Sequence, residues 1–273
     1  MSQNSKLVSF LYGNMLGRLL LKIIMKSRLE RLITKFLWSG YSKPLIGWYI
    51  KKHGITVTAK ERASYRSFRD LFARSRDDIA IDFAPKHLIS PCDGWLSAFP
   101  INKESCFSLK NSHYRLQDFL QDEELAQNYL GGTCLIFRLC VSDYHRYCYI
   151  DHGYQAKNNF IDGTLHSVQP IACEKVPVFV LNRRSWCLLT TQNFGPVVQC
   201  EIGALVVGGI FNKKENARFV KGAEKGHFEL AGSTIILLFE AGTINLKKEI
   251  TQQLLNKEEV RVKQGEWIGN AQR

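Results

Sequence analysis

Through residues 1–60 apolar positions recur with a helical period, and basic residues interrupt them at a fixed phase. Asn14, Arg18, Lys22 and Lys26 fall at every fourth position, so on a helix they form one polar stripe. Leu16, Leu19, Leu20, Ile23 and Ile24 then cover the other side. Leu29, Leu32, Ile33, Phe36 and Leu37 repeat at i, i+3, i+4, i+7 and i+8, the spacing of an apolar helical face, and Ser39-Gly40 is placed to end that helix. Residues 61–75 predict a further short helix carrying Phe68, Leu71 and Phe72. From residue 80 the texture changes to short apolar, β-branched runs between Gly, Asn and Asp turns: LIS, GTCLIFRLCV, VPVFVLN, WCLLTTQ, GPVVQCEIGALVVGGIF and GSTIILLFEAGTI. One helical stretch, from about Leu116 to Leu130, interrupts them. The expected class is α+β: a single β-rich domain over residues 61–273, preceded by an amphipathic helical region over residues 1–60.

Charge sharpens that division. Residues 1–60 hold eleven basic residues and one acidic residue, which places +10 of the net +12 there. A membrane-spanning helix needs about twenty mostly apolar residues, and Arg18 and Lys22 would fall near the middle of one. A helix lying in the plane of an anionic membrane surface fits better, with Arg18, Lys22 and Lys26 as the lipid-facing cations. The competing expectation is a helical cap packed on the domain's own core. The overall balance, 45% hydrophobic and 23% charged, excludes a disordered or collagen-like chain. Eight cysteines at irregular spacing, with no CxxC and no secretory leader, read as reduced thiols without structural zinc. Nothing in the chain points to nucleic acid.

No phosphate-binding glycine loop, GxSxG elbow or HExxH occurs. Four local signals remain. Ser90-Pro91-Cys92-Asp93-Gly94 reads as a turn, in which Pro fixes φ, Asp bonds locally and Gly supplies a positive φ. Ser142-Asp143-Tyr144-His145-Arg146 follows an apolar strand, where titratable side chains converge. Asn182-Arg183-Arg184 reads as a hairpin turn and, by itself, a solvated loop. The stretch from Gly222 to Thr234 is rich in glycine and ends in Gly232-Ser233-Thr234 before IILLF, so that a hydroxyl can be pressed against the preceding carbonyl.

Together and in this order, these segments resemble the phosphatidylserine decarboxylase family, with its Pro-x-Asp-Gly turn, DYHR segment, Asn-Glu-Arg-like turn and Gly-Ser-Thr near the C-terminus. SFRDLFAR, from Ser67, resembles the family's Phe-Phe-x-Arg segment, and IGALVVGGI and KGAEKGHF add to the likeness. The resemblance implies a proenzyme that cuts itself between Gly232 and Ser233 into a β chain of residues 1–232 and an α chain of residues 233–273. It further implies that Ser233 becomes a pyruvoyl group, the covalent electron sink that takes the substrate amine as a Schiff base, in place of pyridoxal phosphate or a metal. Asp93, His145 and Ser233 match family catalytic residues: Asp93 and Ser233 belong to an Asp–His–Ser arrangement for self-cleavage, and His145 to protonation during decarboxylation.

The family's second histidine, three residues after the first, supplies the triad base; here that position is Cys148. His152, which has the right parity if the strand continues, and Cys148, if its thiol pKa is depressed, are the candidates to stand in. The implied reaction converts phosphatidylserine to phosphatidylethanolamine and CO2 at the cytoplasmic face of the cell membrane, with peripheral attachment and room for a homodimer. Decarboxylation of a soluble amino acid, or a membrane-binding relative that never cleaves, are the competing expectations.

Overall fold

The computed structural model describes residues 6–26, 29–102, 107–109, 112–204, 209–229, 233–256 and 259–272. Among the described residues six α-helices come first: α1 (Lys6–Gly13), α2 (Met15–Lys26), α3 (Leu29–Trp38), α4 (Lys43–His53), α5 (Ala59–Ser64) and α6 (Phe68–Phe72). The second and third follow the apolar periodicity, and Ser39-Gly40 does end α3. The stretch 61–75 is two helices rather than one, because the chain turns extended at Tyr65 and restarts at Ser67, whose N–H is taken by the Asp70 carboxylate. Helix α4 was not evident from the pattern; it stops at Gly54, which adopts a left-handed φ of 61°.

The β region is built on an antiparallel nine-stranded sheet. At its centre Ser233–Phe239 pairs with Gly195–Ile202 on one side and Thr133–Leu139 on the other; Gly94–Pro100 lies beyond the latter. All seven residues of the central strand are buried. Its side chains alternate between two cores: Ile236 and Leu238 join one, Ile235, Leu237 and Phe239 the other. Burial on both faces is why STIILLF shows no polar alternation. The architecture is α+β, as the hydrophobic pattern implied.

Two apolar runs depart from expectation. VPVFVLN is not a strand: Val178–Leu181 forms a helical turn initiated after Pro177. The stretch from Leu116 divides at Gln121, whose φ of 54° stops one helix before Asp122 caps the next.

The helical N-terminus is both docked and open. In α1, Val8, Leu11 and Tyr12 enter the first of the two cores, and the Tyr12 hydroxyl accepts from the Ser167 N–H at 3.0 Å. In α2, by contrast, Leu16, Leu19, Leu20 and Ile23 are exposed. A third cluster, Ile46, Tyr49, Tyr65, Phe68, Leu71 and Phe72, ties α4 to α6.

Candidate active site

Ser233 opens the central strand opposite Leu139, the last residue of its neighbour. Thr234 and Trp95 both face Arg138 from the two flanking strands. Ser233 and Asp93 therefore straddle the end of the Thr133–Leu139 strand, two strand spacings or about 10 Å apart. By strand parity the Ser233 side chain shares a face with Ile235, Leu237 and Phe239, and it is 1% exposed. Gly232 lies outside the described residues.

The Pro-x-Asp-Gly turn is buried and holds Asp93 by its neighbours. Its carboxylate accepts from the Gln264 N–H at 2.9 Å and stands 3.4 Å from Arg76 Nη1. Gly94 is required, though not for a positive φ: a Cβ there would lie 3.0 Å from the Arg138 carbonyl oxygen. Close approach of two strands, rather than turn geometry, selects glycine at this position.

The segment after Leu139 folds back on itself. Asp143 accepts from the Cys140 N–H at 2.7 Å and takes both terminal nitrogens of Arg261, at 2.6 and 3.0 Å. His145 is 1% exposed, with its ring centroid 4.1 Å from that of Phe72. Its Nδ1 lies 2.8 Å from the Asp143 carbonyl oxygen. A carbonyl only accepts, so Nδ1 carries the proton and the lone pair of the neutral ring sits on Nε2. The His145 carbonyl accepts from Phe228 at 2.9 Å, on the strand that leads toward Ser233. Asp93 and Ser233 thus lie at one end of the sheet, and His145 is tied by its main chain to the strand that precedes Ser233.

Comparison with known proteins places the chain among relatives. Residues 68–270 match the family described as phosphatidylserine decarboxylase. The chain is 40% identical over 265 residues to phosphatidylserine decarboxylase proenzyme 2 of Clostridium acetobutylicum, covering 96% of this chain and 91% of that one. It is 37% identical to the phosphatidylserine decarboxylase proenzyme of Ruminiclostridium cellulolyticum (97% and 91% covered) and 36% to that of Clostridium perfringens (97% and 93%). The chain belongs to the phosphatidylserine decarboxylase family.

Within this decarboxylase-family fold, neither stand-in for the missing second histidine is suitably placed. Cys148 is fully buried, and burial pushes its thiol up to about 12, opposite to the depression a thiolate base needs. His152 is exposed and far away. The short strand that follows His145, Arg146–Cys148, ends at Cys148, so the parity argument fails. The next strand starts at Gly153 and pairs with Thr191, opposite Gly195. Gly195 is seven residues from Ile202, where the same strand meets Thr234. At about 3.3 Å per residue that separates His152 from Ser233 by roughly 20 Å.

Asn182-Arg183-Arg184 is not a solvated loop either. Asn182 and Arg184 are buried. The Asn182 amide bridges His166 and the Gly203 carbonyl. The Arg184 guanidinium donates to the carbonyls of Asp118, Phe119, Val180 and Asn182, two of them in the short helix Leu116–Leu120. Arginine at this place satisfies free helix-end carbonyls, so its role is structural.

Sequence reading missed a buried ion pair beside the nucleophile. Glu201 lies opposite Ile235, two residues along from Ser233 and therefore on the same face. Its carboxylate accepts from Lys225 at 2.8 Å, and both side chains are fully buried. Asn212 and Gln199 complete the network. Nothing local in KGAEKGHF marks Lys225, which sits between the ion-paired Glu224 and Gly226. His227 follows closely but faces the other way, beside Phe211 and opposite Arg146; burial, and then the Arg146 charge, lower its pKa to about 4.

Proposed function

We propose that this family member is made as a proenzyme, cuts itself before Ser233, and then decarboxylates phosphatidylserine to phosphatidylethanolamine. The observation that carries the reading is the placement of Ser233 and Asp93 at one end of the sheet, with His145 tied by its main chain to the strand that precedes Ser233. In the proposed cleavage, His145 Nε2 takes the Ser233 hydroxyl proton and the oxygen attacks the Gly232 carbonyl. The peptide becomes an ester. β-Elimination then releases the Gly232 carboxylate and leaves a dehydroalanine, which hydrolyses with loss of ammonia to a ketone.

This assigns to His145 the role that the resemblance gave to the second histidine. The Asp143 carbonyl, rather than a carboxylate, orients the ring. Asp93 positions the site by fixing Arg76 and the Gln264 main chain. The surroundings suit a pyruvoyl group at position 233: the site is enclosed, and the adjacent Thr234 Oγ1 is buried with no hydrogen-bond partner among the described residues. Such a group supplies a carbonyl that takes the substrate amine and an electron sink for the pair left behind by departing CO2. His145 would afterwards hold a proton for return to that carbon.

We also propose peripheral membrane attachment through α2. Its exposed leucines lie beside Arg18 and Lys22, both exposed; the Lys26 side chain lies outside the described residues. No helix among the described residues is long and apolar enough to cross a membrane.

The test is a denaturing gel and intact mass of purified protein, with CO2 release from phosphatidylserine vesicles. Two fragments breaking at Gly232/Ser233 are expected, the smaller one blocked to Edman degradation, while Ser233→Ala remains full length. An uncut wild-type chain in membranes would sink the reading and favour a non-processing relative. Release of CO2 from a free amino acid in preference to the lipid would favour the soluble-substrate reading.

A further inference from the structure

Between the end of α4 and the segment before His145 lies a cavity of about 580 Å³, with Asp93 and Ser142–Tyr144 in its wall. Most of its charges are already matched. Arg76 is held by Asp78 at 2.9 and 3.0 Å and stands beside Asp93; Arg261 is held by Asp143 on both arms. Glu61 Oε2 takes the N–H and hydroxyl of Thr58.

Arg74 is the exception. It lines the same cavity and, among the described residues, its side chain makes one hydrogen bond, from Nη1 to the Leu71 carbonyl at 3.1 Å, with the Tyr144 ring 5.9 Å from its guanidinium carbon. Among the described residues no carboxylate lies within 4 Å of it. The groups whose charge reaches it are the phenols of Tyr49, Tyr65 and Tyr144, the cation of Arg76 and, beyond ion-pair distance, the carboxylate of Glu61. A half-buried guanidinium has five donors, and four of these are unspent here. Its planar fork fits two oxygens of one phosphate. Ile55 and Val57 offer apolar wall where a phosphate ligand continues into a glycerol.

We infer that this cavity binds the phosphodiester of an aminophospholipid headgroup and that Arg74 is its phosphate-binding residue. The assignment of the ligand rests on the decarboxylase reading; the anion site itself rests on Arg74. The lipid's own diester and a soluble diester share this chemistry, so the experiment separates them.

Full-length Ser233→Ala protein, which cannot turn over, is titrated by calorimetry with short-chain phosphatidylserine, glycerophosphoserine and inorganic phosphate. Arg74→Gln should weaken both diesters by roughly 10–100-fold, the worth of a charged hydrogen bond, and Arg74→Lys by less. Tighter binding of the lipid than of glycerophosphoserine identifies the membrane headgroup as the occupant, and the reverse order overturns that assignment. Inorganic phosphate binding as tightly as the lipid would overturn the diester. Affinity unchanged in Arg74→Gln would overturn the site.

In the processed enzyme the same substitution should raise KM while kcat stays within about twofold, since the contact is made equally in ground and transition states. CO2 release with an unaltered KM removes this inference and leaves the decarboxylase standing. Arg74-dependent binding without any CO2 release does the opposite. Arg74→Lys covers the case in which Arg74→Gln does not fold.

Discussion

The Ser233–Phe239 strand and helix α2 are both dominated by leucine and isoleucine, yet their fates are opposite. Every residue of the strand is buried, whereas Leu16, Leu19, Leu20 and Ile23 of α2 are exposed. The difference lies in what stands opposite each apolar atom. The strand has a core on both faces, so a continuous apolar run serves it. Among the described residues the helix sends only Leu21 into the core that Val8, Leu11 and Tyr12 of α1 also enter, and its remaining apolar residues are left facing outward. Periodicity identifies a face to be covered; it does not identify the cover.

The sharpest break in that comparison comes from the sheet side. Lys225→Met removes one partner of a fully buried ion pair and leaves Glu201 charged and uncompensated. A loss of about 3–5 kcal/mol in urea unfolding is expected. Lys225→Met combined with Glu201→Leu should recover most of it. Ile236→Ala on the central strand should cost about 2–5 kcal/mol, as a cavity in a closed core does.

On the helix side, changing Arg18, Lys22 and Lys26 together to Glu should leave unfolding almost untouched and act on lipid instead. At about 1 kcal/mol per basic residue near an anionic surface, binding to phosphatidylserine-containing vesicles should fall by roughly 100-fold or more. Raising salt on the wild-type protein should mimic part of that loss. Vesicle binding that survives the triple change would make α2 a packed cap after all.

How much of this was legible in the chain follows from the same contrast. The helical period placed α2 and α3, and the Gly-Ser-Thr and Pro-x-Asp-Gly segments mark residues that lie at the same end of the sheet, about 10 Å apart. Legibility failed where a distant contact overrode local texture. VPVFVLN is β-branched, yet it turns helical where Arg184 gathers the carbonyls of Val180 and Asn182. Asn182-Arg183-Arg184 looked solvated because charge suggests water, and nothing local reveals that four carbonyls await the guanidinium. The His152 parity argument assumed a strand that ends four residues too early. Lys225 and Arg74 carried no local sign of their surroundings, since a buried partner and a missing partner read alike in sequence.

A titration separates the two regions more finely. His227, in the sheet region, has its pKa lowered from 6.5 to about 4, chiefly by burial. Between those values the unfolded chain binds more protons than the folded one, so native stability is complete above pH 6.5 and declines as pH falls toward 4. His227→Gln should flatten this part of the pH dependence, read as urea midpoints at pH 7 and pH 5. His53, at the end of α4, is lowered by burial and by Lys52 and has the same sign; His53→Gln should flatten the curve less, because no comparably large shift is present there.

The smallest effect is the most telling for α2. Leu19 is 57% exposed and Ile23 56%, so little of either side chain is withdrawn from water by the protein itself. If that surface has no cover within the chain, Leu19→Ser with Ile23→Ser should change the unfolding midpoint by no more than the roughly 0.5 kcal/mol typical of surface substitutions. The same double change removes apolar area that would enter a bilayer, so binding to neutral as well as anionic vesicles should weaken, unlike the charge reversal, which acts on anionic vesicles alone. A clear fall in stability without any change in lipid binding would mean that the stripe packs against protein in solution. In that case α2 belongs with the core, and the contrast with the central strand is one of degree.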